Sequence, residues 1–254
     1  MSDLRARLAA GETVVGSFVS LGSTLTAEIM GLAGFDWLVI DLEHGGGGEQ
    51  AMLGQLQALA HTAATALVRV EAIDQIRVLH ALDAGADGLL IPRLRSAEDA
   101  ARAVSYSRYA GSRGVAHSTR AWRWGMRSGT HSEMDEGVFC AVQIETAEAL
   151  AAAREIAAVD GVDVLFIGPA DLSNALGLDC AHDDPRMLAH GATVAAAARE
   201  HGKAAGILVG SASQAARYHE LGFTFVGVGA DSVVLAAAAS GLAAELRAIA
   251  TPAV

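Results

Sequence analysis

The sequence predicts a single (β/α)8 TIM barrel, an α/β fold in which eight parallel strands alternate with helices. Short apolar, β-branched segments alternate with longer Ala- and Leu-rich segments of helical period. Eight such units in 254 residues match the usual length of this barrel. A doubly wound sheet normally has fewer strands and an early glycine fingerprint, which this sequence lacks.

Each predicted strand is apolar enough to be buried on both faces, as strands of a parallel sheet are. In chain order they are Thr13–Val19, Trp37–Asp41, Ala66–Val70, Gly88–Ile91, Phe139–Glu145, Val162–Ile167, Ala204–Val209 and Phe223–Val228. Several of the helical segments begin beside Ser, Thr or Asp, which cap helix N-termini. The predicted helices are Leu25–Leu32, Glu49–His61, Ile73–Ala84, Ala97–Ser107, Ala147–Ala158, Pro185–His201, Ser213–Leu221 and Ser232–Ile249.

No Pro-, Ser- or Gly-rich linker divides the chain, so we expect residues 1–254 to form one domain. The exception to the regular pattern is Arg108–Gly137, a long irregular segment between the fourth and fifth strands. Segments of this length are usually functional or disordered. Its aromatic residues favour order.

Composition and charge exclude several classes of protein. A hydrophobic share of 52% with 19% charged residues is typical of a folded chain rather than a disordered one. The formal net charge of -11 would repel a nucleic acid. Cys140 and Cys180 show neither a pairing pattern nor metal-ligand spacing. The N-terminus lacks a secretory signal, and no transmembrane-length run is free of Gly or charge. We therefore expect a cytoplasmic protein that binds neither membrane nor nucleic acid.

The carboxyl ends of the predicted strands carry the candidate active site, because barrel enzymes place their chemistry there. Glu145 and Asp171 end neighbouring strands, so their carboxylates can converge on a hard divalent cation such as Mg²⁺ or Mn²⁺. The alternative is that both residues cap helices, since each also precedes a helical segment.

A histidine and an arginine lie on adjoining strand ends. His44 follows Asp41 by three residues, close enough for the carboxylate to orient the imidazole as a base. The alternative is an exposed loop histidine. The glycines 45–48 lack dinucleotide-fingerprint spacing and predict a flexible turn that lets the backbone approach a ligand. Arg69 can polarise a carbonyl or hold a carboxylate, or it can form an ion pair with Glu71 or Asp41.

The position of the lysine removes one mechanism. Lys203 is the only lysine in the sequence, and it precedes the seventh strand, at the face opposite the predicted site. A Schiff-base aldolase needs a lysine at the other end of a strand. Carbanion chemistry in this protein would therefore depend on a metal ion.

Taken in order, these residues resemble the HpcH/HpaI family of metal-dependent 4-hydroxy-2-oxo-acid aldolases. The matching segments span most of the chain: Phe35–Gly45, Val68–Val70, Leu82–Gly88, Ile91–Arg93, Arg113–Gly114, Gln143–Thr146 and Ile167–Ser173.

The resemblance implies an Mg²⁺, Mn²⁺ or Co²⁺ ion on Glu145 and Asp171, chelated by pyruvate. It implies that Arg69 stabilises the enolate oxygen and that His44, oriented by Asp41, is the acid/base.

The resemblance also assigns roles around the substrate. Gln143 and the Gly168-Pro169-Ala170-Asp171 turn are suited to the pyruvate carboxylate, with the backbone amides of the last two residues as donors. Leu208 would line the aldehyde pocket, and Asp83 would be a supporting residue near a subunit boundary. The resemblance implies pyruvate and an aldehyde as substrates, and leaves open whether hydroxypyruvate can replace pyruvate.

The family further implies a homo-oligomer, a hexamer built as a dimer of trimers. In this arrangement the last helix, residues 232–250, is exchanged between subunits. The apolar character of Ser232–Ile249 agrees with burial against another chain. An ordinary closing helix of the barrel is equally compatible with that pattern.

Three other functions remain open at this point. A CoA-ester lyase of the citramalyl or malyl type uses a similar barrel, but it needs basic groups for the CoA phosphates. A phosphate-binding barrel isomerase or lyase would grip its ligand through the last two strand loops. A barrel that only binds a small acid would be favoured by the loss of Glu145, Asp171, Arg69 or His44, and all four are present.

Overall fold

The eight predicted strands close into a parallel barrel in chain order, β1 to β8. The computed structural model describes residues 4–178 and 182–250. The strands are β1 (Val14–Val19), β2 (Trp37–Asp41), β3 (Thr65–Arg69), β4 (Gly88–Ile91), β5 (Phe139–Ile144), β6 (Val164–Ile167), β7 (Ala204–Val209) and β8 (Phe223–Ala230). The predicted (β/α)8 barrel is confirmed. Cys140 is buried as a free thiol, and Cys180 lies outside the described residues.

The helices surround the barrel and mostly agree with the predicted segments. They are α1 (Leu4–Ala9), α2 (Thr24–Leu32), α3 (Glu49–Leu59), α4 (Gln75–Asp83), α5 (Ala97–Ser107), α6 (His131–Gly137), α7 (Ala147–Ala151), α8 (Ala153–Ala157), α9 (Pro169–Ala175), α10 (Pro185–Glu200), α11 (Ala212–Glu220) and α12 (Asp231–Ala250). The helix predicted over Ala147–Ala158 is divided in two, because Ala152 leaves the helical region at ψ 15°. Helices α1, α6 and α9 were not predicted.

Aromatic side chains fill the interior of the barrel below the site. Trp37 stacks on Phe225 with ring centroids 4.1 Å apart, and Phe166 meets both rings edge-on. Phe18 packs against Phe166 at 6.3 Å. This packed interior is typical of the fold, in which the barrel is a core rather than a pore. Because apolar side chains fill the interior, polar and charged side chains can meet only at the ends of the strands.

The segment 108–137 is ordered and lies at the amino-terminal end of the barrel. Arg108 donates to the carbonyl of Val138, just before β5, at 3.0 Å. The Tyr109 backbone N–H donates to Asp135 Oδ1 at 2.7 Å, which ties the segment to α6. The segment is therefore on the opposite face from the carboxyl ends of the strands.

Helix α12 projects from the barrel rather than covering it. Among its described side chains only Asp231 is buried, and Ile249 is 82% exposed. Residues 231–249 are long and apolar enough to cross a membrane by length and composition alone. Gly241, Glu245 and Arg247 interrupt that run. An ordinary closing helix would bury one face against the strands, and α12 does not.

Candidate active site

Asp41 and Arg69 form a buried bidentate ion pair at the ends of β2 and β3. The two residues are partners in the strand register, so their side chains lie side by side at the carboxyl end of the barrel. Arg69 Nε donates to Asp41 Oδ1 at 2.8 Å, and its Nη2 donates to Oδ2 at 2.7 Å. Burial alone would raise the pKa of Asp41, but the hydrogen bonds and charge of Arg69 lower it below its ordinary value. The pair fixes a planar donor group above the Phe18 ring.

The expected contact between the Asp41 carboxylate and the His44 imidazole is not formed. Asp41 Oδ1 instead accepts from the backbone N–H groups of Glu43 and His44 at 3.0 and 3.2 Å. The Asp41 carboxylate therefore accepts hydrogen bonds from Arg69 and from these two amides, and it holds the turn after β2 in place. The His44 ring is exposed. The glycine-rich turn packs closely on its own chain, since a Cβ on Gly45 would lie 2.1 Å from the Asp41 carbonyl oxygen.

Two further charged residues, Glu43 and Arg93, belong to the site. Sequence reasoning assigned neither of them a role. Glu43 Oε2 lies 3.2 Å from Arg69 Nη1. The other carboxylate oxygen, Oε1, accepts a hydrogen bond from Arg93 Nε at 2.8 Å. The Glu43 side chain is only 6% exposed. Their positions directly after β2 and β4 were a signal, but strand spacing does not tell which residue of a turn points inward.

Glu145 is the buried acid of the site. Its Oε1 accepts from the Arg93 backbone N–H at 2.6 Å. Arg93 adopts φ 61°, a left-handed conformation that costs a non-glycine residue on the order of 1–3 kcal/mol. Burial raises the pKa of Glu145 to about 7, against the opposing Arg93 N–H, and the negative charges of Glu43 and Asp171 add to the rise.

Gln143 and Gly168 enclose the other side of Glu145. Gln143 Nε2 donates to Glu145 Oε2 at 2.5 Å, and Gln143 Oε1 is buried with no partner in the described chain. A Cβ on Gly168 would lie 2.7 Å from Glu145 Oε2 and 2.9 Å from Gln143 Nε2. Only glycine permits this close approach of the backbone to the acid.

The first turn of α9 presents Asp171 and free backbone donors beside Glu145. Gly168 is the N-cap, Pro169 begins the helix, and no side chain caps it. The N–H groups of the first turn have no carbonyl within the helix to bond, so those of Ala170 and Asp171 are available to a ligand. Asp171 is exposed, and its charge acts on both Glu145 and Arg93. Helix capping by Asp171, the alternative considered above, is not observed.

The remaining predicted residues divide between the two ends of the barrel. Leu208, near the end of β7, is half-buried against the interior cluster. Asp83 ends α4 and accepts from Arg113 Nη2 at 2.8 Å. Because α4 runs back towards the start of β4, this places Asp83 at the amino-terminal end. Within one chain, Asp83 is therefore not part of the predicted site.

The donor set fits a hard divalent cation. Glu145 and Asp171 are oxygen donors whose negative charges repel one another, and Gln143 Oε1 is a buried acceptor without a partner. No cluster of three or more His, Cys, Asp or Glu ligands occurs in the described part of the chain. Two carboxylates would leave the other coordination positions to water or substrate.

A parallel barrel with paired carboxylates and fixed arginines at its carboxyl end has the architecture of a barrel enzyme. A family model described as HpcH/HpaI aldolase/citrate lyase matches residues 15–238. The 4-hydroxy-2-oxo-heptane-1,7-dioate aldolase of Escherichia coli is 40% identical over 253 residues, covering 98% of this chain and 97% of the relative.

Two solved structures of the same family superpose closely on this chain. A HpcH/HpaI aldolase/citrate lyase family protein from Burkholderia cenocepacia has a TM-score of 0.92 and 38% identity, covering 97% of this chain and all of the other. The HpcH/HpaI aldolase of Desulfitobacterium hafniense has a TM-score of 0.87 and 28% identity, covering 98% and 97%. The protein is thus a carbon–carbon lyase. The chain belongs to the HpcH/HpaI aldolase/citrate lyase family.

Proposed function

We propose that the protein is a class II pyruvate aldolase that cleaves or makes 4-hydroxy-2-oxo acids. The observation that carries this proposal is the buried Glu145 beside Asp171, Gln143 and the Asp41–Arg69 pair, at the end of the barrel where enzymes of this fold react. The 40% identity to an aldolase over nearly the whole chain supports the same activity.

Glu145 and Asp171 would hold a divalent ion, Mg²⁺, Mn²⁺ or Co²⁺. Bound there, the ion supplies positive charge that lowers the cost of forming an enolate from a 2-oxo acid. Gln143 and the free N–H groups of Ala170 and Asp171 hold the substrate carboxylate, which a helix N-terminus favours.

In the cleavage direction a base removes the proton of the 4-hydroxyl group, and the C3–C4 bond breaks to release the aldehyde. The electron pair of that bond forms the pyruvate enolate, which then takes a proton at C3. Arg69, held rigid by Asp41, donates to the oxygen on which charge develops. His44, exposed in the turn after β2, moves the proton. Leu208 lines the aldehyde side.

The test is release of pyruvate from 4-hydroxy-2-oxoheptanedioate, followed by reduction with lactate dehydrogenase and NADH. We expect turnover with Mn²⁺, its loss with excess chelator, and its return when metal is restored. His44→Gln should lower turnover, and the exposed His61→Gln should leave it unchanged. Cleavage of a citramalyl- or malyl-CoA ester without any cleavage of the 2-oxo acid would replace this proposal with the CoA-ester lyase.

We propose further that the protein is a homo-oligomer, a hexamer formed as a dimer of trimers with α12 exchanged between subunits. The support is the exposed apolar surface of α12 together with that of α2, where Leu25, Ile29 and Leu32 also face outwards. In such an assembly Asp83 would lie near a subunit boundary. Burial of α12 against a second chain also accounts for its apolar length. Light scattering should give the mass of six chains, and Leu246→Glu should reduce it.

A further inference from the structure

The segment 108–137 contains a second cluster of chemistry-bearing side chains, separate from the active site. The rings of Tyr109, His117, Trp122 and His131 pack together at the amino-terminal end of the barrel. His117 Nε2 and His131 Nε2 lie 3.1 Å apart. These two nitrogens lie within hydrogen-bond distance although His117 is exposed and water could satisfy it.

Their packing fixes both imidazole rings. His131 stacks on Tyr109 with centroids 4.5 Å apart, and His117 meets Trp122 edge-on at 4.6 Å. Trp122 is buried, and its Nε1 donates to the Tyr109 hydroxyl at 2.8 Å. These ring contacts limit how far either imidazole can turn.

The spacing of the nitrogens suits one metal ion. Metal–imidazole bonds of about 2.0–2.1 Å to both Nε2 atoms would meet at about 95–102°, between the angles of an octahedron and a tetrahedron. A cavity of about 380 Å³ opens beside the pair, with room for water ligands, and is lined by both histidines, Trp122, Thr130 and Arg127. Arg127 is exposed, so water screens its charge from the cavity.

We propose that His117 and His131 form a binding site for a borderline transition-metal ion of the Zn²⁺, Ni²⁺ or Cu²⁺ class. Imidazole suits these ions, whereas the carboxylates at the other end of the barrel suit harder cations. In the metal-free chain the hydrogen bond between the two rings needs an Nε2–H on one ring and an Nε2 lone pair on the other. When the ion binds, the ring that had donated carries its proton on Nδ1 instead, so the Nε2 lone pairs of both rings face the metal. Since no third His, Cys, Asp or Glu of the described chain completes a ligand cluster, water fills the remaining positions.

Electron paramagnetic resonance with one equivalent of Cu²⁺ tests this site in the intact protein. Excess Mg²⁺ is added first to occupy the carboxylate site. We expect hyperfine coupling to two imidazole nitrogens, lost in His117→Gln and in His131→Gln and retained in His61→Gln. Each loss should weaken Cu²⁺ binding about tenfold or more, and Zn²⁺ should displace the copper.

Circular dichroism checks that the variants are folded. If one is not, the wild-type spectrum still decides, because purely oxygen ligation would overturn the proposal. Retention of two-nitrogen coupling in either folded variant, or its loss in His61→Gln, would overturn it as well.

Discussion

Glu145→Gln should stabilise the metal-free protein above neutral pH. Burial, together with the charges of Glu43 and Asp171, raises the pKa of this acid from 4.5 to about 7. A carboxyl group with a raised folded-state pKa holds its proton more tightly in the folded chain than in the unfolded one. Its favourable contribution is full below about pH 4.5 and is lost as the pH rises through about 7.

The size of the effect follows from the shift. Roughly 2.5 pKa units at 1.36 kcal/mol each amount to about 3 kcal/mol at pH 8. The neutral Gln keeps an acceptor for the Arg93 N–H, and Gln143 can turn its unpartnered oxygen towards the new amide. Relative to wild type, the variant should therefore gain about 3 kcal/mol between pH 4.5 and pH 8.

Urea unfolding from pH 4.5 to 8, with chelator and at fixed protein concentration, measures this difference. The exposed Glu220→Gln serves as the matched control for a surface amide. Adding Mn²⁺ at pH 8 should stabilise the wild type and not Glu145→Gln. A stability difference that does not change with pH would refute the raised pKa of Glu145.

Substitutions at three other positions test separate parts of the geometry. Arg69→Ala should lower kcat about 100-fold or more while changing metal affinity less, as kinetics and metal titration would show; the opposite order would make Arg69 a structural residue. Gly168→Ala should weaken metal binding and turnover, because its Cβ would displace Glu145, and calorimetry with Mn²⁺ at wild-type affinity would contradict this. Arg93→Gly should be more stable than Arg93→Ala by about 1–2 kcal/mol in urea, since only glycine accepts φ 61° freely; equal stabilities would show that the backbone is not strained.

The strands were predictable because each is apolar on both faces and turn residues bound it. The predicted strands Trp37–Asp41 and Gly88–Ile91 have the same bounds as β2 and β4. The short helices were harder to predict, since Pro169–Ala175 begins two residues after β6 ends and looks like the loop that follows a strand. For α6 the sequence contains a usable signal, the capping box formed by Thr130 at the N-cap and Glu133 in the first turn.

The sequence predicts which residues lie together at the strand ends, but it does not predict which side chains contact each other there. Glu145, Asp171 and Arg69 could be grouped because parallel strands bring their carboxyl ends together. The sequence could not show that Asp41 would bind the guanidinium of Arg69 instead of the His44 ring, since both partners lie within reach of one carboxylate. The inward rotation of Glu43 depends on the backbone of its turn, which spacing does not specify.

Deuterium exchange into the methyl group of pyruvate in D₂O, followed by NMR, tests the central claim most directly. It isolates enolate formation from any choice of aldehyde. The account predicts exchange with Mn²⁺ or Mg²⁺ that stops with chelator and is lost in Glu145→Gln. Absence of exchange with every divalent ion tried would contradict the claim that this site forms the pyruvate enolate.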